Sequence, residues 1–280
     1  MKSIDCPERM IEVIREYGII PFFRGAVPGW SIEEMTAPEC WFGGAEDDEL
    51  GPWDWKIEVV REGDIAYGKF LGGKSAFATV EWYRDLMNWR RSIPKYRMAL
   101  GEKYKAVTNG DKLMKHLSPV ALSAIKEAGA LEARELRQIC TAAVTPAMLR
   151  ALGPRYKPLL SPNVKKNIVD SVVQFLQMGT WSVIGDIQRV YRGADLHYNG
   201  WQRASNTTPD NLFGGIPERT AESQGETTRD KVPVWARMFE EETEQNEQIS
   251  RSPEESRKRL ISHIIDLCPE ADEKALLKMV

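Results

Sequence analysis

Residues 7–18 (PERMIEVIREYG) are the first segment in which hydrophobic and polar residues repeat with a helical period. Met10, Ile11 and Ile14 fall on one side of a helix, and Gly18 supplies a stop signal. The pattern therefore predicts a short amphipathic helix near the N-terminus.

The segment that follows, residues 20–92, is rich in tryptophan and glycine. Short apolar runs such as WKIEVV and AYGKF are separated by the turn-like sequence REGD, which predicts strands. We therefore predict an aromatic-rich α+β domain over residues 1–110. Because tryptophan is more often a core or rim residue, we expect an aromatic core, with a ligand pocket or base-stacking platform as the alternative.

Helical signals dominate the next segment, where serine-proline pairs and glycines act as start and stop signals. Four helices are predicted: a first from Ser118 and Pro119 to Gly129, a second from near Leu131, a short third around Pro146 that ends at Gly153, and a fourth from Ser161 and Pro162 to Gly179.

The fourth predicted helix has two distinct faces. Its apolar stripe consists of Val164, Ile168, Val172, Phe175 and Leu176, and its polar face consists of Asn163, Lys166, Asn167, Asp170, Gln174 and Gln177. Two strand-like runs, TWSVIGDIQRVYRG and HYNGWQRAS, follow it and are joined by RGAD, as in a hairpin. Helices followed by a basic hairpin are typical of a winged helix-turn-helix domain, here predicted over residues 111–205.

The remaining residues divide into an irregular segment and a final helix. Residues 206–252 lack periodicity and predict a linker or an arm that wraps over the surface, with Val234, Trp235, Met238 and Phe239 as its anchor. Residues 253–280 predict a C-terminal helical segment. Its apolar stripe of Leu260, Ile261, Ile264, Ile265 and Leu267 needs a partner surface, either the core or a second copy in a homodimer.

Charge is segregated along the chain, although the net charge is only −3. Residues 1–83 carry 8 Lys and Arg against 16 Asp and Glu, a net charge of −8; residues 84–203 carry 20 against 9, a net charge of +11; and residues 204–280 carry 10 against 16, a net charge of −6. A basic middle segment favours an acidic partner such as DNA, and an ordinary solvated surface is the alternative.

Several other classes of chemistry lack support in the sequence. There is no long apolar run for a membrane span and no nucleotide-binding glycine motif. The four cysteines and three histidines are scattered, and the acidic run from Glu46 to Glu49 lacks the spacing of a calcium loop. We expect a soluble, cytoplasmic protein without a metal or cofactor.

Several segments together resemble the AlkZ/YcaQ group of DNA glycosylases. They are AIKEAGALEARELR at 124–137, NVKKNIVDSVVQFLQMGTWSVIGDIQRVYR at 163–192 and the C-terminal SPEESRKRLISHIIDLCPEADEKALL, and the aromatic block at 66–91 is similar to an AlkZ-related bacterial branch. The resemblance implies winged helices that bind DNA. The family's N-terminal motif, glutamine, one residue, then glutamine or aspartate, has no counterpart in EYGIIPFFRGAVPG, so its catalysis is not carried over.

The DNA-binding hypothesis makes specific residues candidates. Lysine and arginine would neutralise phosphates, and amide side chains would reach base edges. The expected phosphate contacts are Arg155, Lys157, Lys165, Lys166, Arg189, Arg192 and Arg203, and the expected base contacts are Asn167, Gln174 and Gln177. Asp170, on the same face, opposes binding.

Three hypotheses follow. The leading one is a winged-helix DNA-binding protein that lacks the family's glutamine-based hydrolysis. The second is a DNA-repair hydrolase, an N-glycosylase, whose catalytic residues lie in the aromatic N-terminal domain, where aromatic side chains could stack a flipped base. The third is a protein-interaction module in which the winged helix only packs.

Overall fold

The computed structural model describes residues 3–41, 50–152, 162–192, 194, 197–214 and 251–280. These residues form an α+β fold, as predicted, with two antiparallel three-stranded sheets. The N-terminal elements are α1 (Pro7–Tyr17), β1 (Ile19–Pro21), α2 (Ile32–Met35), α3 (Pro52–Arg61), β2 (Ile65–Leu71), β3 (Lys74–Thr79) and α4 (Val80–Ser92). The central elements are α5 (Asn109–Ala128), β4 (Ala130–Glu132), α6 (Ala133–Ala143), α7 (Pro146–Leu152), α8 (Pro162–Met178), β5 (Val183–Arg192), β6 (His197–Thr207) and α9 (Pro209–Leu212). The C-terminal helices are α10 (Pro253–Leu267) and α11 (Glu273–Met279), and short 3₁₀ helices cover Pro38–Cys40 and Tyr96–Leu100.

The first sheet has the strand order β1-β3-β2. The AYGKF segment lies in β2, as predicted, and Tyr67 stacks on its cross-strand partner Phe77 with ring centroids 4.6 Å apart. The strand predicted at WKIEVV is wrong, because these residues belong to α3. Pro52 occupies the first turn of that helix, where a missing N–H costs no hydrogen bond, and Trp55 and Val59 are buried in the core.

The second sheet has the strand order β4-β6-β5. Strands β5 and β6 form the predicted antiparallel hairpin. Strand β4 was not predicted, since it has only three residues and depends on pairing with β6, where Leu131 faces Asn206. The helices predicted near Leu131, Pro146 and Pro162 are confirmed as α6, α7 and α8.

Helix α5 begins nine residues before the predicted start at Ser118. The actual start is a capping box, in which Thr108 accepts a hydrogen bond from the Asp111 N–H (3.1 Å) and Asp111 accepts one from the Thr108 N–H (2.9 Å). Ser118 is buried within the helix and donates to the Met114 carbonyl at 2.6 Å, and Pro119 follows it inside the helix. The helix start predicted at Ser118 and Pro119 is therefore wrong. A serine-proline pair is compatible both with the first turn of a helix and with a position inside it.

Two apolar cores lie beneath these elements. The first core contains side chains of α1, α3, α4 and the first sheet, together with the start of β5. The second core lies between α5, α6 and α8. Because Val183, Ile184 and Ile187 of β5 belong to the first core, the β5–β6 hairpin is packed against the N-terminal elements.

Helix α10, the first of the two C-terminal helices, packs against α4. It starts at a capping box of Ser252 and Glu255, and its stripe residues Leu260 and Ile264 are fully buried in the first core. The stripe is thus covered by the core of the same chain and no longer argues for a homodimer. A homodimer through this helix stays a prediction.

The predicted linker over residues 206–252 begins inside regular structure. Strand β6 runs to Thr207 and α9 follows, because the register with β4 extends the strand to that point. Residues 215–250, with the predicted anchor from Val234 to Phe239, lie outside the described residues.

A buried carboxylate on α4 fixes the position of α10. Asp85 is only 5% exposed and accepts hydrogen bonds from Ser256 (2.7 Å), Arg251 (3.3 Å) and Arg259. Arg259 also pairs with the exposed Glu81, one helical turn before Asp85. The same arginine therefore has one buried and one exposed acidic partner.

We predict that Asp85→Ala lowers the free energy of unfolding by about 2–4 kcal/mol, because it leaves two arginines without their buried partner. Glu81→Ala is the matched control and should cost less than about 1 kcal/mol, since its ion pair is solvent-exposed. Urea unfolding measures both values. Equal losses in the two variants would contradict the role given to Asp85.

Candidate nucleic-acid interface

Helix α8 contributes its two halves to different parts of the molecule. Lys165, Lys166 and Asn167 lie in its first half, and their side chains are outside the described part of the structure, as are Arg155 and Lys157 entirely. Asp170 and Ser171, in the middle of the helix, are exposed. The second half buries Val172 and Leu176 in the second core.

The polar face of the second half of α8 packs against other elements of the protein. The base contact expected for Gln177 is therefore wrong. That side chain is 2% exposed; its amide oxygen accepts a hydrogen bond from the Lys69 N–H (2.8 Å), and its Nε2 donates to Asn206 (3.0 Å). Gln174 is half-buried and donates to the Gly73 carbonyl at 3.4 Å. This face packs on the β2–β3 hairpin, and so Gln177 is a structural residue that cannot reach a base.

The three predicted arginines of the hairpin have different surroundings. Arg192 and Arg203 are exposed. Arg189 is half-buried, and its Nε donates to Asp54 Oδ1 at 3.1 Å. The register explains the difference, because Arg189 pairs with Gln202 on one face of the hairpin and Arg203 pairs with Gln188 on the opposite face.

Asp54 is the centre of a polar cluster between α3 and the hairpin, which we call the Asp54 cluster. The two hydrogens of Gln202 Nε2 are shared among three acceptors within hydrogen-bond distance: Asp54 Oδ1 (3.1 Å), the Trp53 carbonyl (3.0 Å) and the Tyr198 hydroxyl (3.0 Å). Burial and a hydrogen bond with Asp54 raise the pKa of Tyr198 to about 12. Although burial opposes it, the bond to Asp54 leaves the pKa of Arg189 above its usual value. The cluster thus holds a buried, ion-paired carboxylate.

Lys56, two residues after Asp54 in α3, lies among aromatic rings. Its Nζ donates to the Trp53 carbonyl, lies 3.3 Å from the centroid of the Trp53 ring and 5.9 Å from that of Phe22. The residue is only 3% exposed. Burial lowers the pKa of Lys56 to about 7, and the charge of Asp54 opposes this only in part. A substantial fraction of this amine is therefore unprotonated near neutral pH.

Aromatic side chains remain accessible around the Asp54 cluster. Trp53 is 43% exposed, and its Nε1 donates to the Gly200 carbonyl of β6 at 3.1 Å. Trp201 and Tyr191 of the hairpin are also exposed, whereas Trp30 is fully buried and donates to the Ile19 carbonyl. The predicted aromatic core is present, and part of the aromatic set lies at the surface as well.

The sequence reasoning missed Asp54, Lys56, Tyr198 and Gln202. Lys56 lies in the WKIEVV segment that was predicted as a strand, and Asp54 lies just before it. Tyr198 and Gln202 face Asp54 only because the hairpin packs on α3. One signal was available: a lysine three residues after a tryptophan, in a run that is mostly apolar, is a candidate for a buried amine.

The fold and this site define an α+β protein in which a β-hairpin closes over a buried carboxylate and an aromatic-covered amine. A family model described as AlkZ related matches residues 4–280, and the chain belongs to the AlkZ-related family. The resemblance found in the sequence is thereby confirmed. No curated protein and no solved structure matches the chain.

Two further properties of the described residues bear on other functions. No helix in this part of the chain is long and apolar enough to cross a membrane. Nor does it contain a group of three or more His, Cys, Asp or Glu side chains arranged to hold a metal ion.

The lowered pKa of Lys56 predicts a specific dependence of stability on pH. Between about pH 7 and 10.5 the unfolded chain binds a proton at Lys56 that the folded chain does not, and so the folded state gains stability as pH rises. The difference in the free energy of unfolding between the wild type and Lys56→Met isolates this effect, because the other ionisable groups contribute equally to both proteins. From pH 7.5 to pH 9 this difference should change by about 2 kcal/mol in favour of the wild type. Urea unfolding of both proteins at the two pH values measures it. A constant difference would show that the amine is protonated in the folded state.

Proposed function

We propose that the chain binds DNA as a winged-helix protein, with the first half of α8 in a groove and the β5–β6 hairpin against the flanking backbone. The observation that carries this proposal is the element order. The central elements follow one another as in a winged-helix domain: a helix, a short strand, further helices and a hairpin. The short strand and the hairpin form one sheet with the strand order β4-β6-β5. The net charge of +11 over residues 84–203 supports it, because phosphate neutralisation supplies most of the affinity for DNA.

The proposed contacts follow from where the cations lie. Arg192 and Arg203 are exposed on the hairpin and are assigned to phosphates. The same role is proposed for Lys165 and Lys166 at the start of α8 and for Arg155 and Lys157 before it, with Asn167 at the base edges. Gln174 is a weaker candidate, since its amide already contacts Gly73, and Arg189 serves to anchor the hairpin.

This role also agrees with the way the hairpin is held. One of its faces is fixed to α3 by the Asp54 cluster, so that the face with Arg203 is presented in a constant orientation. A rigid hairpin loses little conformational entropy on binding. A DNA-binding role would agree with the cytoplasmic location expected from the sequence.

We predict that the double variant Arg192→Ala, Arg203→Ala binds duplex DNA about tenfold or more weakly at low salt, and that its slope of log K against log salt falls by about 2, one per lost phosphate contact. Fluorescence anisotropy over a series of salt concentrations measures both quantities. Lys258→Ala is the control, because Lys258 is exposed on α10, away from the hairpin.

Two outcomes would count against the proposal. One is wild-type protein that binds no DNA at low salt, or binds it without a salt dependence. The other is an equal loss of affinity in the control, which would indicate diffuse attraction to any cation. Either would favour a protein-interaction module in which these helices only pack.

A second candidate function, hydrolysis of an N-glycosidic bond in DNA, is favoured by the Asp54 cluster. Membership of the AlkZ-related family connects the chain to DNA-repair glycosylases. The glutamine motif of those enzymes is absent, but a carboxylate can stabilise the cationic sugar or activate water in its place. Asp54 is held by Arg189 and Gln202 beside the exposed ring of Trp53, on which a base could stack.

If this second candidate is correct, purified protein releases alkylated bases from damaged DNA and Asp54→Asn lowers the rate by about 100-fold or more. Chromatography of the released bases measures the rate. Glu58→Gln, an exposed change on the same helix, should keep the wild-type rate. Absence of release by the wild type, or full activity of Asp54→Asn, excludes Asp54 from this role.

A further inference from the structure

We propose that Lys56 is an imine-forming nucleophile whose substrate is an aldehyde, specifically the ring-opened sugar of an abasic site in DNA. The inference rests on the proposed function for the delivery of that aldehyde, because the abasic strand has to be held by the hairpin. It concerns an activity distinct from base release, since no glycosidic bond is broken in it.

The surroundings of the amine are the first argument. Lys56 Nζ lies against the Trp53 ring and near Phe22, and none of the described carboxylates lies within ion-pair distance of it. Two acidic residues of α3 lie two positions from Lys56: Asp54 is held by Arg189 and Gln202, and Glu58 is exposed. An amine in apolar surroundings is easier to deprotonate, and only the unprotonated amine attacks a carbonyl.

Protonation is the second argument. A lysine with its ordinary pKa of 10.5 is almost entirely protonated at neutral pH, whereas the pKa of Lys56 is about 7. Lys56 is also only 3% exposed, and a site with little water favours the condensation of an amine with an aldehyde, because water is a product of that condensation.

Access is the third argument, and it depends on Trp53. The indole covers the amine on one side, and its other side is exposed to solvent. It is held by a hydrogen bond to the carbonyl of Gly200 in β6, next to Trp201 on the hairpin. A strand bound along the hairpin would therefore pass beside the residue that covers Lys56, and displacement of the indole would open the amine to a sugar without its base.

The reaction balances without any further reagent. The lone pair of the unprotonated Nζ forms a bond to C1′ of the open-chain sugar, and the carbonyl oxygen takes up a proton to give a carbinolamine. Loss of water from this adduct forms the imine, so that one amine and one aldehyde yield one imine and one water. No group is oxidised or reduced.

The test is reductive trapping with the full-length wild-type protein. The protein is incubated with duplex DNA that contains one abasic site, in the presence of cyanoborohydride, and the adduct is located by peptide mass spectrometry. In a parallel reaction 2-deoxyribose 5-phosphate replaces the DNA and supplies the same aldehyde without a duplex. We expect the adduct at Lys56 in both reactions.

Variants give matched controls. Lys56→Met should lose the adduct, whereas Lys69→Arg, which removes an exposed lysine of β2, should keep it at the wild-type yield. Trp53→Ala should increase the rate of trapping with 2-deoxyribose 5-phosphate, because it uncovers the amine. Thermal unfolding shows whether each variant is folded, and adduct mapping on the wild type decides the question if Lys56→Met is not.

The outcomes separate this inference from the DNA-binding proposal. An adduct spread over exposed lysines, or no adduct with either aldehyde, overturns the inference even if anisotropy shows normal DNA binding. An adduct at Lys56 with the small aldehyde but not with DNA, in a protein that binds no DNA, supports the reactive amine and overturns the proposed function.

Discussion

The contact between α3 and the β5–β6 hairpin depends on one buried carboxylate. A charge at the position of Asp54 would be costly without partners, and the hairpin supplies them through Arg189 and Gln202. The contact therefore has a required geometry, since a shift of the hairpin by one residue would turn both partners to the opposite face. Apolar packing of Val183 and Ile187 in the first core holds the hairpin close, and the ion pair fixes its register.

Helix α8 shows how one element serves two parts of the molecule. Its apolar stripe belongs to the second core, and the polar residues of its second half bind the backbone of the first sheet. The N–H of Lys69 has its acceptor in Gln177, so this backbone donor is paired where β2 contacts α8. This packing takes up the side chain of Gln177, which is therefore not available to a ligand.

Much of the architecture could be predicted from local signals, and most of the site could not. Capping residues and glycines gave α1, α6, α8 and α10, because their cause lies within a few residues of the chain. The amphipathic pattern of α8 also predicted the burial of Ile168, Val172, Phe175 and Leu176 correctly. The pattern could not show that Gln177 faces the β2–β3 hairpin, because a polar side chain on a helix is compatible with solvent and with a buried backbone alike. For the same reason Asp54 and Arg189, which are separated by 135 residues, gave no signal as a pair.

The two interpretations of the aromatic segment, core and platform, turn out to be compatible. Trp30 is fully buried and bonded to Ile19, as a core residue should be, while Trp53 shares its ring between a buried amine and solvent. An aromatic ring can do both because it offers a large apolar face together with an N–H that needs one acceptor, here Gly200. That bond connects the indole that covers Lys56 to the hairpin. Any ligand that shifts the backbone of the hairpin near Gly200 would therefore change the exposure of the amine, and binding and reactivity would be coupled through one indole.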